Sequence, residues 1–169
     1  ATAKEALVAE LLEEASPAAV WDLGANTGRF SRLAAAKGAH ELIVIDHHVS
    51  NQCYGSINVV QPSAAASGVV VLALIDALEL PLTRDAAVCL YAALICDTGR
   101  FQYETTTPSV FDLASRLTAF DIPVPELSRA LFEEHRFAYL QLLGEALARA
   151  ELIREQRLVR TVGCRNAQC

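Results

Sequence analysis

The sequence predicts an α/β fold: a small, mostly parallel sheet of three to five strands with helices on both faces. Two observations carry that expectation. Leu42-Ile43-Val44-Ile45 is a short, continuous, β-branched-rich run that stops at Asp46, the pattern of a strand buried on both faces. Upstream, Ala18 to Trp21 forms a second such run ending at Asp22, and a glycine-bearing turn and a helical stretch join the two. Residues 18–46 therefore read as one strand-helix-strand unit, expected as a right-handed parallel crossover.

Taken in order, residues 4–15 place Leu7, Val8, Leu11 and Leu12 at helical spacing among acids, an amphipathic helix stopped before Ser16-Pro17. Gly24 and Gly28 flank a tight turn, and Arg29 to Lys37 is the following helix, stopped by Gly38. Ser56 to Val60 gives a third short strand. Pro62-Ser63 opens an apolar helix through about Leu78, with Ser63 as N-cap, and Thr83 caps another that runs to about Ile95. Further helices are expected over 108–120, 126–135 and 137–153, with a final strand over 158–162. Residues 1–153 are expected as one domain and 154–169 as a short tail.

Bulk properties narrow the function classes. The 169 residues suffice for one domain with a core. The hydrophobic share is 53%, yet Asp76, Glu79 and Asp97 interrupt the best apolar stretches before the ~18 residues a membrane span needs. The N-terminal residues lack a secretory pattern. A net charge of −6 argues against non-specific binding to duplex phosphates, though not against a nucleotide held through a metal. The 5 cysteines form no CxxC pair, which points to a reducing, cytoplasmic setting. Cys89 and Cys96 read as small core residues. Cys164 and Cys169 would need two further ligands to hold zinc, and none stands nearby.

The chemistry gathers at strand ends, where open α/β sheets build their sites. Asp46-His47-His48 leaves the second strand, Asp22 ends the first, and Asp97 follows the apolar run Leu90 to Cys96, with Thr98-Gly99 turning the backbone after it. Carboxylates with imidazole suit Mn²⁺, Mg²⁺ or Fe²⁺, and two such ions about 4 Å apart activate water and hold phosphate for in-line displacement. Each acid by itself also reads as a turn or helix-end residue.

Val44 to Asn51 (VIDHHVSN), Pro62 to Gly68 (PSAAASG), Leu90 to Phe101 (LYAALICDTGRF) and Thr105 to Pro108 together resemble the DHH phosphoesterases, in order and at sensible spacing. The nearest likeness is to the nanoRNase/phosphoadenosine-phosphate phosphatase branch, relatives of the RecJ exonucleases. The resemblance implies a metal-dependent hydrolase of short oligonucleotides or nucleotide phosphates, using Mn²⁺ or Mg²⁺; a homodimer stays open. It implies that Asp22, His47 and Asp97 are metal ligands, that His48 lies against the scissile phosphate or its attacking water, and that Asp46 orients the histidines. The family's His-x-x-x-Asp-x-Asp motif has no counterpart before Asp22, and its glycine-rich C-terminal motif has none after Ile153. The chain is therefore expected to resemble the middle of such an enzyme, incomplete at its N-terminal end, with weak metal binding and low activity.

Ala19 to Phe30 (AVWDLGANTGRF) also resembles the first motif of S-adenosylmethionine-dependent methyltransferases. That likeness implies that Gly24 and Gly28 admit the cofactor to a helix N-terminus and that Asp46 bonds its ribose. It leaves His47, His48 and Asp97 unexplained. A third possibility is a non-catalytic remnant that folds and binds a partner.

Overall fold

The computed structural model describes residues 2–153 and 158–161, those from 151 onward by backbone alone. It shows an α/β fold in two compact units, residues 1–123 and 124–169. In the first, α1 (Ala3–Ala15) precedes β1 (Ala19–Leu23), α2 (Arg29–Ala36), β2 (Glu41–Asp46) and β3 (Ile57–Val60). Three helices follow: α3 (Ser67–Ala77), α4 (Arg84–Asp97) and α5 (Pro108–Thr118). The sheet order is β1-β2-β3, both pairings parallel, with Asp22 opposite Val44 and Asp46 opposite Val60. Having a neighbour on each side, β2 buries Val44, Ile45 and Asp46 to 2% exposure or less. Side chains alternate along a strand, so Asp46 shares a face with Val44 and hence with Asp22.

Local chemistry accounts for the helix starts. Thr2 and Glu5 form a reciprocal capping box, Thr2 Oγ1 accepting from Glu5 N and Glu5 Oε2 accepting from Thr2 N. Ser16 then turns left-handed and Pro17 follows, which stops α1. Arg29 and Lys37 pair with Glu5 and Glu13, tying α2 to α1. Thr83 caps α4 through the Ala86 amide, as its place in the sequence predicts. Within α4, Ala87, Leu90, Tyr91, Leu94 and Ile95 face the core. Each fully buried Leu or Ile contributes about 1.5–3 kcal/mol. Gly68 of α3 lies so near Ala93 of α4 that a Cβ there would crowd it, so this glycine sets how closely the two helices pack.

Several expectations need correction. α3 begins at Ser67, not at Ser63, because residues 62–66 stay in turns and the Ala64 carbonyl is taken by a side chain outside the helix. The cysteines of α4 are not core: Cys89 and Cys96, like Cys53, are exposed. Cys89 and Cys96 lie seven residues apart on a different side of α4 from buried Leu90 and Leu94, so an apolar sequence context does not bury them. Cys96 is pushed above the ordinary thiol range by partial burial and then by the Asp97 charge. Alkylation of Cys96 in the native protein should therefore proceed, and should keep accelerating as pH rises past the usual thiol pKa of about 8.5. Peptide mapping after timed maleimide treatment checks this; protection comparable to a core residue would contradict the exposure.

The second unit holds α6 (Val124–Phe132), α7 (Phe137–Ala148) and an antiparallel pair, β4 (Ala150–Ile153) with β5 (Leu158–Thr161). The helix expected over 137–153 thus ends at Ala148, and its last residues pair as a strand with 158–161 instead. The strand expected near the chain end pairs with β4 in a sheet of its own and does not extend the parallel one. Cys164 and Cys169, and the end of the final strand at Val162, lie outside the described residues. No described helix is long and apolar enough to cross a membrane.

Candidate metal and phosphoester site

Asp46 is the centre of the arrangement. It is 0% exposed, at the carboxyl end of the central strand, and both of its oxygens are in use. Oδ1 accepts from the backbone amides of His47 (2.7 Å) and His48 (3.2 Å), from His48 Nδ1 (2.7 Å), and at 3.4 Å from Ser67 Oγ. Oδ2 accepts from the Asn26 amide (2.8 Å) and from Asn51 Nδ2 (2.7 Å). Burial opposes ionisation, but the bonds from Asn51, His48 and the two backbone amides outweigh it and hold the carboxyl well below the usual carboxylate range.

Asp46 also fixes the loops on either side. Gly24 N donates to the Ile45 carbonyl, and Asn26, with positive φ, turns its amide onto Asp46. Ser50 Oγ donates to Asn26 Oδ1, joining the loop after β1 to the loop after β2. Asn26, Asn51, Ser31 and Tyr54 have places here that sequence reasoning missed. Asn51 stood inside the quoted Val44–Asn51 stretch, and the amide at 26 stood between two glycines; neither carried a chemical signature of its own.

The two histidines are set differently. His47 Nδ1 lies 3.0 Å from the Ala64 carbonyl, which can only accept, so Nδ1 carries the proton and donates. The lone pair is then on Nε2, which faces Asp97 Oδ2 at 3.4 Å. Two electron-rich atoms in that position repel unless a cation or a proton lies between them. A ring nitrogen bonded to a backbone carbonyl, with the other nitrogen beside a carboxylate, is the usual setting of a metal-binding histidine. His48 donates from Nδ1 to Asp46 and is 39% exposed, leaving Nε2 directed away from that bond and able to exchange protons.

Asp22 stands apart from this pair. Ser31, buried on α2, donates Oγ to Asp22 Oδ2, and the other oxygen makes no hydrogen bond among the described residues. Among the described residues, no three His, Cys, Asp or Glu side chains converge closely enough to hold an ion. The structure therefore brings His47 to Asp97 and His48 to Asp46, and leaves Asp22 with Ser31.

The glycine loop has an internal explanation. Gly28 has φ +72°, and a Cβ there would overlap the ring of Tyr54. The close approach that Gly28 permits is thus used by a side chain of this protein. With Asp46 already bonded on both oxygens, the two features that the S-adenosylmethionine likeness rests on serve the loop's own structure.

No family model matches the chain. It is similar to the bifunctional oligoribonuclease and PAP phosphatase NrnA of Thermus thermophilus, 35% identical over 107 residues, covering 63% of this chain and 33% of that protein. A probable bifunctional oligoribonuclease and PAP phosphatase NrnA of Streptococcus mutans is 36% identical over 90 residues, covering 53% of this chain and 29% of that one. The match thus spans about a third of the length of these curated relatives. Among solved structures, an exopolyphosphatase-related protein of Bacteroides fragilis shares the fold, with a TM-score of 0.72 at 21% identity, covering 89% of this chain and 45% of that chain. The resemblance to DHH phosphoesterases read from the sequence is borne out.

Proposed function

We propose that this chain carries the DHH portion of a manganese-dependent phosphoesterase that hydrolyses short oligonucleotides or nucleotide phosphates. The observation that carries this reading is the approach of His47 Nε2 to Asp97 Oδ2 at 3.4 Å with the imidazole proton committed to Ala64. That geometry fits two ligands of one divalent ion. Borderline and hard ions such as Mn²⁺ and Mg²⁺ accept mixed imidazole and carboxylate donors. His47 and Asp97 would hold the ion, with the free oxygen of Asp22 as the third donor that the family likeness implies. When bound, the ion supplies an activated water and neutralises phosphate charge.

The chain's own residues have separable parts in this reading. Asp46 fixes the tautomer of His48 by accepting from Nδ1, so Nε2 is the nitrogen that meets solvent or a phosphate oxygen. From there His48 can give a proton to a leaving oxygen or take one from water. The relatives named as oligoribonuclease and PAP phosphatase support a nucleotide substrate.

Calorimetric titration with Mn²⁺ tests the assignment. His47→Ala and Asp97→Ala should each lower affinity about 100-fold or more, since loss of even an outer partner costs 10- to 100-fold. Hydrolysis of bis(p-nitrophenyl) phosphate with added Mn²⁺ should fall in parallel. Equal rates for the parent protein and His47→Ala would remove the reading.

A further inference from the structure

The Tyr54 hydroxyl is buried and, among the described residues, has no hydrogen-bond partner. Such a group is uncommon, because a buried hydroxyl that gives up water without a replacement destabilises the fold. Its place is not accidental. The ring lies on Gly28, whose bare backbone is what lets it in, and this seats the phenol between the ends of β1 and β2. Around the oxygen stand Asp22, Asp46, Ser31 and Asn51; the two carboxylates, after burial itself, push the phenol above its ordinary range. Ser31 and Asn51 lie beside it, yet neither makes a bond of acceptable geometry. Ser31 donates to Asp22 and Asn51 donates to Asp46.

Asp46 is already supplied with donors on both oxygens. Among the described residues the free oxygen of Asp22 has no donor, and the Tyr54 hydroxyl has no acceptor. We propose that Tyr54 is a positioning residue of the site: its rigidly seated hydroxyl takes the free oxygen of Asp22, or a water on it, as partner when a divalent cation is bound there. The inference rests on the metal-dependent reading above and adds a residue to it. In the cation-free protein the hydroxyl is a cost; in the loaded protein it orients a ligand carboxylate. Outer partners of this kind hold metal-binding side chains in their working orientation.

Tyr54→Phe separates this from a structural role, because it keeps the ring on Gly28 and removes only the oxygen. In metal-free protein we expect its Tm to equal or exceed that of the parent by about 2–4 °C, the shift that relief of one unpaired buried hydroxyl gives at this size. In the same protein, calorimetric Mn²⁺ affinity should fall about 10-fold or more. Unchanged Mn²⁺ affinity overturns the inference whatever the Tm does. A drop in metal-free Tm also overturns it, since the hydroxyl would then have a structural partner. If the parent protein binds no Mn²⁺, the metal-dependent reading fails and takes this inference with it; binding by the parent with an unaffected Tyr54→Phe sinks the inference alone.

Discussion

Asp46→Ala should destabilise the protein by about 3–5 kcal/mol at neutral pH, the range found when one partner of a buried charged network is removed. Without the carboxylate, the amides of Asn26, His47 and His48, the His48 ring and the Asn51 side chain all lose their acceptor around a fully buried position. Asp46→Asn should cost less, because one oxygen still accepts and the volume is kept. Urea denaturation of the three proteins measures this; a loss below about 1 kcal/mol in Asp46→Ala would show that the network contributes little.

The same residue sets an acid limit. Its folded carboxyl titrates below the unfolded value of about 3.9, so the folded protein binds fewer protons there than the unfolded chain. The stabilisation is complete above the unfolded pKa and is lost as pH falls through the lower folded one. Between about pH 5 and pH 2 the parent should therefore lose stability more steeply than Asp46→Asn. Parallel curves over that window would assign the acid sensitivity to other carboxylates.

Gly28→Ala should be the second large effect, about 2–5 kcal/mol. The left-handed backbone at φ +72° accounts for about 1–2 kcal/mol, and forcing the Tyr54 ring aside for another 1–3. These parts can be told apart. In a Tyr54→Ala background the steric part vanishes, so Gly28→Ala should cost only the conformational part. Additive losses in the double variant would mean the ring does not rest on Gly28. The cycle also bears on the methyltransferase likeness, since a glycine kept for an internal tyrosine is not one kept for a cofactor.

The strand that ends at Asp46 was legible because a continuous β-branched run has few alternatives, and so was Thr83 as a cap, because capping is decided within four residues. The family likeness came from spaced polar motifs that survive without any geometry. The donors to Asp46 were not legible, since Asn26 and Asn51 reach it through loop conformations that no periodicity encodes. The start of α3 was misplaced for a related reason. Ser63 has the chemistry of a cap, but the Ala64 carbonyl serves His47, and tertiary demand overrides the local signal. The apolar run ending in Ile153 suits a helix or a strand equally; the partner at 158–161 decides, and pattern cannot see it. Cys89 and Cys96 stand in an apolar sequence context that does not encode which side of α4 meets solvent.

The central position of β2 also governs how the site comes together in time. Its two neighbours in the sheet, and every donor to Asp46, come from residues 19 to 67, so these contacts close comparatively short loops. Asp97 arrives from α4, further along the chain, across the longest loop in the site. Loop closure grows costlier with length, and distant contacts form later on average. The polar clasp around Asp46 is thus placed to assemble with the sheet, whereas the His47–Asp97 pair awaits the docking of α3 and α4. Formation of the sheet and the approach of Asp97 to His47 are then successive events, and under the metal-dependent reading a bridging cation would act on the second.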